Sequence, residues 1–159
     1  MIFLTVGTQF PFDRLVRAID KAVVRCLINE KMFAQIGKSS YKPRNFEYVD
    51  FLNKDLFDDC IRQASCIISH AGMGTITMAL DHSKPLLVMP RLRRHGEVVN
   101  DHQLAIAKKF EQLGLILTAY EVEELPERIE WLRTFVPRKR EPQTRAVAER
   151  IMRFLRELS

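Results

Sequence analysis

Two patterns of apolar residues alternate along the chain. Short runs of apolar, often β-branched residues predict buried strands, because a strand covered on both faces shows no alternation with polar residues. Between these runs, apolar side chains recur with the period of an α-helix. The runs lie at 1–7, 32–36, 46–49, 66–69, 85–89 and 115–118, and the helical segments lie at 12–27, 56–63, 76–80, 101–113 and 122–132. Strands that alternate with helices in this way predict an α/β domain built on a single Rossmann-like, doubly wound parallel sheet.

Length and composition are those of one compact domain. The chain has 159 residues, of which 47% are apolar, and a chain of this size buries about 70% of its unfolded surface around a single core. We expect the domain to span residues 1–136 and a linker to span residues 137–142. For residues 143–159 the pattern predicts a basic amphipathic helix that packs on this domain or on a partner.

The net charge of +5 is confined to the end of the chain. Residues 1–130 carry 17 Lys and Arg and 17 Asp and Glu, whereas residues 131–159 carry eight Lys and Arg and three Glu. A basic tail can contact nucleic acid or an anionic membrane surface. Because this tail has no regular interleaving of aromatic residues with its cations and no reading helix of a known type, we expect no nucleic-acid partner.

Cysteine content and hydropathy indicate a cytoplasmic protein. The three cysteines form no CxxC pair, and an odd number of them favours reduced thiols. No apolar run approaches the roughly 20 residues that span a bilayer.

The loop 69–75 is a candidate anion site. It follows a predicted strand and leads directly into a helix, at the edge of the sheet where open α/β folds bind their ligands. Gly72 and Gly74 let the backbone approach a phosphate, the helix N-terminus attracts negative charge, and His70 can donate to a phosphate oxygen. The loop is neither a GxGxxG fingerprint nor a P-loop, which argues against a dinucleotide enzyme or an ATPase.

Two further loops at the same edge carry polar residues. Gly7 and Thr8 form the turn after the first strand, and Asp13 is expected to cap the helix behind it. The loop 90–103 follows the fifth predicted strand, and its carboxylate and amide groups suit sugar hydroxyls. Four cationic or imidazole side chains in this loop offer donors to phosphate: Arg91, Arg93, Arg94 and His95.

Three motifs resemble those of a known family. They are residues 3–8 with 12–15, residues 69–75 and residues 96–103. Together they resemble the donor-binding, C-terminal half of GT-B glycosyltransferases of family 28. The resemblance is strongest for stand-alone half-proteins, namely the soluble subunit of the two-part dolichol-linked N-acetylglucosaminyltransferase and its bacterial counterparts in exopolysaccharide synthesis.

The resemblance implies a role for each motif. One group of residues lines the cleft and holds the diphosphate of a nucleotide sugar, and a second group surrounds the sugar. The first group is Gly7, Thr8, His70, Gly72, Gly74 and Thr75, and the second is Glu97, Asn100, Asp101 and Gln103. Where many relatives carry a Glu that binds the ribose hydroxyls, this chain has Met78. Because a thioether cannot accept strong hydrogen bonds, ribose recognition must differ, or another residue must take this role.

The resemblance also implies an activity that needs a second chain. A GT-B enzyme has two Rossmann-like domains and this sequence predicts one, so we expect the donor-binding subunit of a two-component, inverting glycosyltransferase. It would use a UDP-sugar donor and a polyprenyl diphosphate-linked acceptor, and it would need neither a metal ion nor a bound cofactor. A membrane-anchored acceptor-binding subunit would hold it at the cytoplasmic face of the membrane. Asp13 and His95 are candidates for the general base. The alternatives are a nucleotide-sugar-binding regulatory module and an enzyme related to nucleotide-sugar epimerases.

Overall fold

The computed structural model describes residues 1–138 and shows one parallel sheet flanked by helices. The strands are β1 (Ile2–Thr5), β2 (Met32–Gln35), β3 (Glu47–Val49), β4 (Cys66–His70), β5 (Leu86–Met89) and β6 (Leu117–Thr118). They are parallel and lie in the order β3-β2-β1-β4-β5-β6. This order confirms the expected α/β fold with a doubly wound sheet.

Five α-helices in residues 1–138 cover the two faces of this sheet. They are α1 (Asp13–Val24), α2 (Lys54–Gln63), α3 (Met73–Asp81), α4 (His102–Gln112) and α5 (Leu125–Leu132). Helices α1 and α5 pack on one face, and α2, α3 and α4 pack on the other. All four residues of β1 are buried, because a strand with helices on both sides exposes neither face.

The structure departs from the sequence prediction near the end of the domain. The strand predicted at 115–118 is reduced to β6, which lies at the sheet edge and pairs with β5 alone. The helix predicted at 122–132 begins as a 3₁₀ turn, Val122–Glu124, and becomes α-helical at Leu125. Pro126 explains this start, because a residue without an N–H is tolerated only in the first turn of an α-helix.

Part of the predicted organisation lies outside the described residues. Residues 139–159 are not described, and they include most of the predicted linker 137–142 and all of the predicted helix 143–159. The boundary at residue 136 therefore stays a prediction. Within residues 1–138, no helix is long and apolar enough to cross a membrane.

A buried carboxylate secures the connection from β2 to β3, which contains no helix. Asp20 of α1 is 3% exposed. It accepts hydrogen bonds from the Tyr41 hydroxyl at 2.7 Å, from the backbone N–H of Arg44, and from the backbone and side-chain nitrogens of Asn45. Burial opposes the ionisation of Asp20, but these hydrogen bonds outweigh it and lower its pKa. Asp20 therefore ties this connection to α1.

Replacing Asp20 with Ala is expected to lower the free energy of unfolding by about 1–3 kcal/mol, because the part-buried hydrogen bonds from Tyr41, Arg44 and Asn45 lose their acceptor. Urea denaturation at neutral pH measures the change. Glu130→Ala is the control, because Glu130 is exposed on α5 and its loss should leave the urea midpoint unchanged. Equal midpoints for the two variants would show that the connection does not depend on Asp20.

Candidate functional site

A cavity of about 470 Å³ opens at the carboxyl edge of the sheet, and we call it the pocket. Its walls come from the loops after β1, β4 and β5. After β1 the chain continues to β2 on one side of the sheet, and after the adjacent strand β4 it continues to β5 on the other side. The position between β1 and β4 is therefore a topological switch point, which is where open α/β sheets bind ligands. Nine of the residues that the sequence assigned to ligand binding line the pocket: Gly7, Thr8, His70, Gly72, Gly74, Thr75, Arg91, Asn100 and Gln103.

The N-terminus of α3 contributes a positive end to the pocket. Gly72 is the N-cap residue, no side chain caps the helix, and the first turn contains no acidic residue. The first backbone N–H groups of a helix have no partner within it, and the helix dipole adds to their positive charge. Met73, Gly74 and Thr75, which carry these groups, all line the pocket. An anion in the pocket would therefore meet uncapped N–H donors.

His70 packs between two glycines that leave room for its ring. A Cβ atom at Gly72 would overlap Nε2 of His70, and one at Gly7 would lie 2.8 Å from Cε1. Gly7 also has a φ of +73°, a conformation that L side chains rarely adopt. A Cβ atom at Gly74, by contrast, would meet no described atom within 4 Å. His70 therefore explains two of the three glycines, and the packing of the described residues does not explain Gly74.

The imidazole of His70 is neutral at physiological pH. Burial lowers its pKa to about 4, and the positive charge of Arg91 acts in the same direction. A neutral imidazole keeps one N–H donor and one acceptor nitrogen. His70 can therefore donate a hydrogen bond to an anion while it carries no charge itself.

Arg91, in the loop after β5, is buried against the loop after β1. Only 2% of the residue is exposed. Its Nη2 donates to the carbonyl oxygens of Val6 and Phe10, both at 2.6 Å, and its Nε donates to the carbonyl oxygen of Pro11 at 3.3 Å. The guanidinium also lies over the ring of Phe12, at 4.9 Å from the ring centroid. Arg91 thus joins two of the three loops that line the pocket.

A salt bridge joins α1 to the same loop and engages Glu97. Arg14 donates to the two carboxylate oxygens of Glu97 at 2.7 and 2.9 Å and to the carbonyl oxygen of Pro90 at 3.1 Å. Glu97 also accepts the backbone N–H of Leu92 at 2.9 Å. Although the resemblance assigns Glu97 to the sugar, its side chain is engaged within the protein and does not line the pocket.

Of the remaining three residues assigned to the sugar, two line the pocket and one does not. The carboxylate of Asp101 accepts the backbone N–H of Arg93 at 2.8 Å and does not line the pocket. Asn100 and Gln103 do line it. The side-chain oxygen of Asn100 accepts the first N–H of α4, and the amide oxygen of Gln103 accepts the backbone N–H of Arg91. Asp101 is the N-cap residue of α4, but its side chain makes no capping hydrogen bond, and Asn100 bonds the first N–H of the helix instead.

Neither general-base candidate lies in the pocket. The expectation that Asp13 caps α1 is wrong, because Phe12 is the N-cap, and the Asp13 carboxylate accepts the backbone N–H of Tyr41 at 3.0 Å. His95 lies in the exposed 3₁₀ turn Arg93–His95. Among the described residues, no Asp or Glu lines the pocket. In the same part of the chain, no group of three or more His, Cys, Asp and Glu side chains could hold a metal ion.

Several pocket residues were not expected from the sequence: Gln9, Phe10, Met73, Val98, Val99 and His102. Val99 is 80% exposed. The pair Val98 and Val99 in an otherwise polar loop is the one sequence signal that could have identified Val99 as a pocket residue. Met78, which the resemblance would place where many relatives carry a ribose-binding Glu, is half-buried in the apolar core beneath α3 and does not line the pocket.

Sequence comparison identifies the kind of domain to which this pocket belongs. A model of the glycosyltransferase family 28 C-terminal domain matches residues 1–156. The chain belongs to this family. The family 28 domain therefore includes the whole sheet and the three loops that line the pocket.

The family 28 domain is similar in sequence to subunits of a UDP-N-acetylglucosamine transferase. It is 30% identical over 122 residues to subunit ALG13 of Homo sapiens, a match that covers 71% of this chain and 10% of that protein. It is 32% identical over 89 residues to the ALG13 subunit of Candida albicans, a match that covers 56% of this chain and 29% of that protein. The chain therefore corresponds to only part of the length of these relatives.

Solved structures of glycosyltransferases share the fold of the family 28 domain. MurG of Acinetobacter baumannii matches with a TM-score of 0.63 and 20% identity over 84% of this chain and 42% of that chain. A solution structure of ALG13 matches with a TM-score of 0.59 and 19% identity over 86% of this chain and 87% of that chain. The described fold is therefore that of the C-terminal half of GT-B glycosyltransferases.

Gly72→Ala is expected to lower the free energy of unfolding of the family 28 domain by about 1–3 kcal/mol, because its methyl group would overlap the ring of His70. Gly74→Ala is the matched control: its methyl group enters open space, and alanine is the better helix former, so stability should hold or rise by up to about 1 kcal/mol. Urea denaturation of both variants measures the difference. Equal loss in both would contradict the packing of His70 on Gly72.

The stability of the domain should depend on pH through His70. Because its folded pKa is about 4 and its unfolded pKa is about 6.5, the unfolded state binds an extra proton between these values. The free energy of unfolding should therefore rise by up to about 3 kcal/mol as pH increases across this range. In His70→Gln this slope should be reduced, whereas the exposed His82→Gln variant should keep it. Urea denaturation at several pH values tests both, and an unchanged slope in His70→Gln would contradict a buried, neutral imidazole.

Proposed function

We propose that this chain is the donor-binding, catalytic subunit of a two-component, inverting glycosyltransferase. It would transfer a sugar from a UDP-sugar to a polyprenyl diphosphate-linked glycan in exopolysaccharide or capsule assembly. The UDP-N-acetylglucosamine transferase subunits among its relatives favour UDP-N-acetylglucosamine as the donor. The observation that carries the proposal is the pocket itself, where an uncapped helix N-terminus and a neutral, half-buried histidine meet at the switch point of the sheet.

The diphosphate of the donor is proposed to bind at the N-terminus of α3. The backbone N–H groups at 73–75 would donate to its oxygens, and His70 would add a side-chain donor. The absence of a side chain at Gly74 would let the diphosphate come close to the helix. Gly7 and Thr8 from the opposite wall and Thr75 on α3 complete this half of the site.

The sugar is proposed to lie against the loop after β5. Asn100 and Gln103 line this side and carry amide groups that can bond sugar hydroxyls. Glu97 and Asp101 would not contact the sugar. They would position the loop, because Glu97 accepts from Arg14 and Asp101 accepts from the backbone N–H of Arg93.

In the proposed reaction, an acceptor hydroxyl oxygen attacks the anomeric carbon of the sugar. The bond from that carbon to the β-phosphate oxygen breaks, and its electron pair stays on the departing diphosphate. Donors that already point at the diphosphate stabilise this charge as it develops. The proton of the acceptor hydroxyl passes to a general base, which we assign to the partner chain because no carboxylate of the described residues lines the pocket.

That partner is proposed to be a membrane-anchored subunit that binds the acceptor and places this chain at the cytoplasmic face of the membrane. The net positive charge of the last part of the chain would favour an anionic membrane surface. A non-catalytic, nucleotide-sugar-binding regulatory module is the second candidate, and the lack of a carboxylate in the described part of the pocket is the observation that favours it.

Calorimetric titration tests the donor site directly. The chain should bind UDP, and Gly74→Ala should weaken that binding by about tenfold or more, because the added methyl group keeps the diphosphate away from the N–H groups. His82→Ala, at the exposed end of α3, should bind UDP as the unaltered chain does. If UDP does not bind, or if it binds equally to the Gly74→Ala variant, the site assignment fails.

Transfer should be measured with and without a co-expressed, membrane-anchored candidate partner. The proposal expects transfer from the donor only in the complex, and expects His70→Ala to abolish it while circular dichroism shows an intact fold. A complex that binds UDP but never transfers sugar would support the regulatory module. Epimerisation of the nucleotide sugar by the isolated chain would contradict both candidates.

A further inference from the structure

Arg91 is a buried cation that lines the pocket. Asp20 and Arg91 are the charged side chains buried in residues 1–138, and of the two only Arg91 lines the pocket. Within this part of the chain, no carboxylate forms a salt bridge with Arg91. Burial lowers its pKa to about 10, although Glu97 acts against the shift, so the guanidinium stays charged at neutral pH.

The hydrogen bonds of Arg91 use only part of its guanidinium. Nε and Nη2 are taken by three backbone carbonyl oxygens of the loop after β1. No hydrogen bond joins Nη1 to any described residue, and Nη1 is not among the buried polar atoms that lack a partner. The carbonyl dipoles therefore fix the guanidinium in position, while its Nη1 can still donate to a ligand.

The neighbouring arginines are placed differently. Arg93 and Arg94 are exposed, Arg94 pairs with Glu121, and neither lines the pocket. Of the three arginines of this loop, Arg91 alone combines burial with a place in the pocket wall. A cation that is held in place and lacks a carboxylate partner is costly to bury, and a bound anion would offset that cost.

We propose that Arg91 is an anion-binding residue of the pocket that supplies a fixed positive charge to a diphosphate group while its other donors hold the loop after β1. The identification of the anion as the diphosphate of a nucleotide sugar rests on the proposed function. The two tasks are coupled, because the bonds that hold the loop also set the position of the charge. A charge positioned in advance needs no rearrangement when the anion binds or when its charge increases.

The test uses inorganic diphosphate and uridine as separate probes, with Arg91→Lys, Arg91→Met and the exposed neighbour Arg93→Met as the control. Calorimetry should show that Arg91→Met binds diphosphate about 10- to 100-fold more weakly than the unaltered chain. Arg91→Lys should lose clearly less affinity, because it keeps the charge. Uridine, which has no phosphate, should bind these two variants alike, and Arg93→Met should match the unaltered chain with both probes.

Hydrogen exchange of residues 6–12 separates the two tasks of Arg91, namely holding the loop after β1 and supplying a positive charge. Both Arg91 variants should exchange faster in this loop, because neither lysine nor methionine has the planar fork with which Nε and Nη2 of Arg91 reach three carbonyl oxygens. A loss of loop support alone would therefore weaken diphosphate binding equally in the two variants. Arg91→Gln replaces Arg91→Met if the latter does not fold. Nuclear magnetic resonance titration should also show a higher His70 pKa in Arg91→Met than in Arg91→Lys.

Two results would overturn the inference: no binding of diphosphate to the unaltered chain, or equal losses of diphosphate affinity in the lysine and methionine variants. The proposed function can fail separately. If diphosphate binding depends on Arg91 but UDP binds no better than diphosphate, the anion site stands and the nucleotide-sugar assignment does not.

Discussion

The pocket depends on the buried guanidinium of Arg91, because this side chain bonds the loop after β1 to the loop after β5. The backbone of Arg91 is itself held by Gln103. Arg14 reaches in the opposite direction, from α1 to Glu97 and Pro90. One arginine from each side therefore bonds to the other side: Arg91 to the loop after β1, and Arg14 to the loop after β5. A shift of either loop would leave buried charges and carbonyl groups unpaired, at a cost of several kcal/mol.

This arrangement also determines the state of His70. Burial and the charge of Arg91 both oppose protonation of the imidazole, and the ring occupies space that any side chain at Gly72 would fill. The glycines act on the histidine through packing and the arginine acts on it through its charge, so the four residues depend on one another. In the proposed function the pocket gives the diphosphate one fixed cation, one neutral donor and a row of backbone N–H groups, with no metal ion among the assigned groups.

The sequence predicted the fold well because each element depends on a pattern of apolar residues within its own short segment. Most strands coincide with an apolar run, and the helices coincide with an apolar repeat of helical period. The departures lie near the end of the described residues, where β6 is shorter than predicted and α5 begins only at Leu125, with Pro126 in its first turn. The glycine-rich loop was also predictable, because a strand, two glycines and a helix are contiguous. The roles of Glu97 and Arg91 were not, because their partners are distant in sequence: Arg14 is 83 residues from Glu97, and Phe10 is 81 residues from Arg91. A carboxylate that binds a sugar and one that binds an arginine look the same in a single sequence.

The absence of a carboxylate from the described part of the pocket follows from the chemistry proposed for it. A general base near the diphosphate would repel the leaving group, and the nearby cation would weaken its basicity by stabilising the charged form. An inverting displacement also places the attacking oxygen on the face of the sugar opposite the leaving group. In the proposed function, the base would therefore lie on the surface that faces this domain across the sugar. A pocket built to hold the departing anion is for that reason poorly suited to activate the acceptor, and a division of these two tasks between facing domains resolves the conflict.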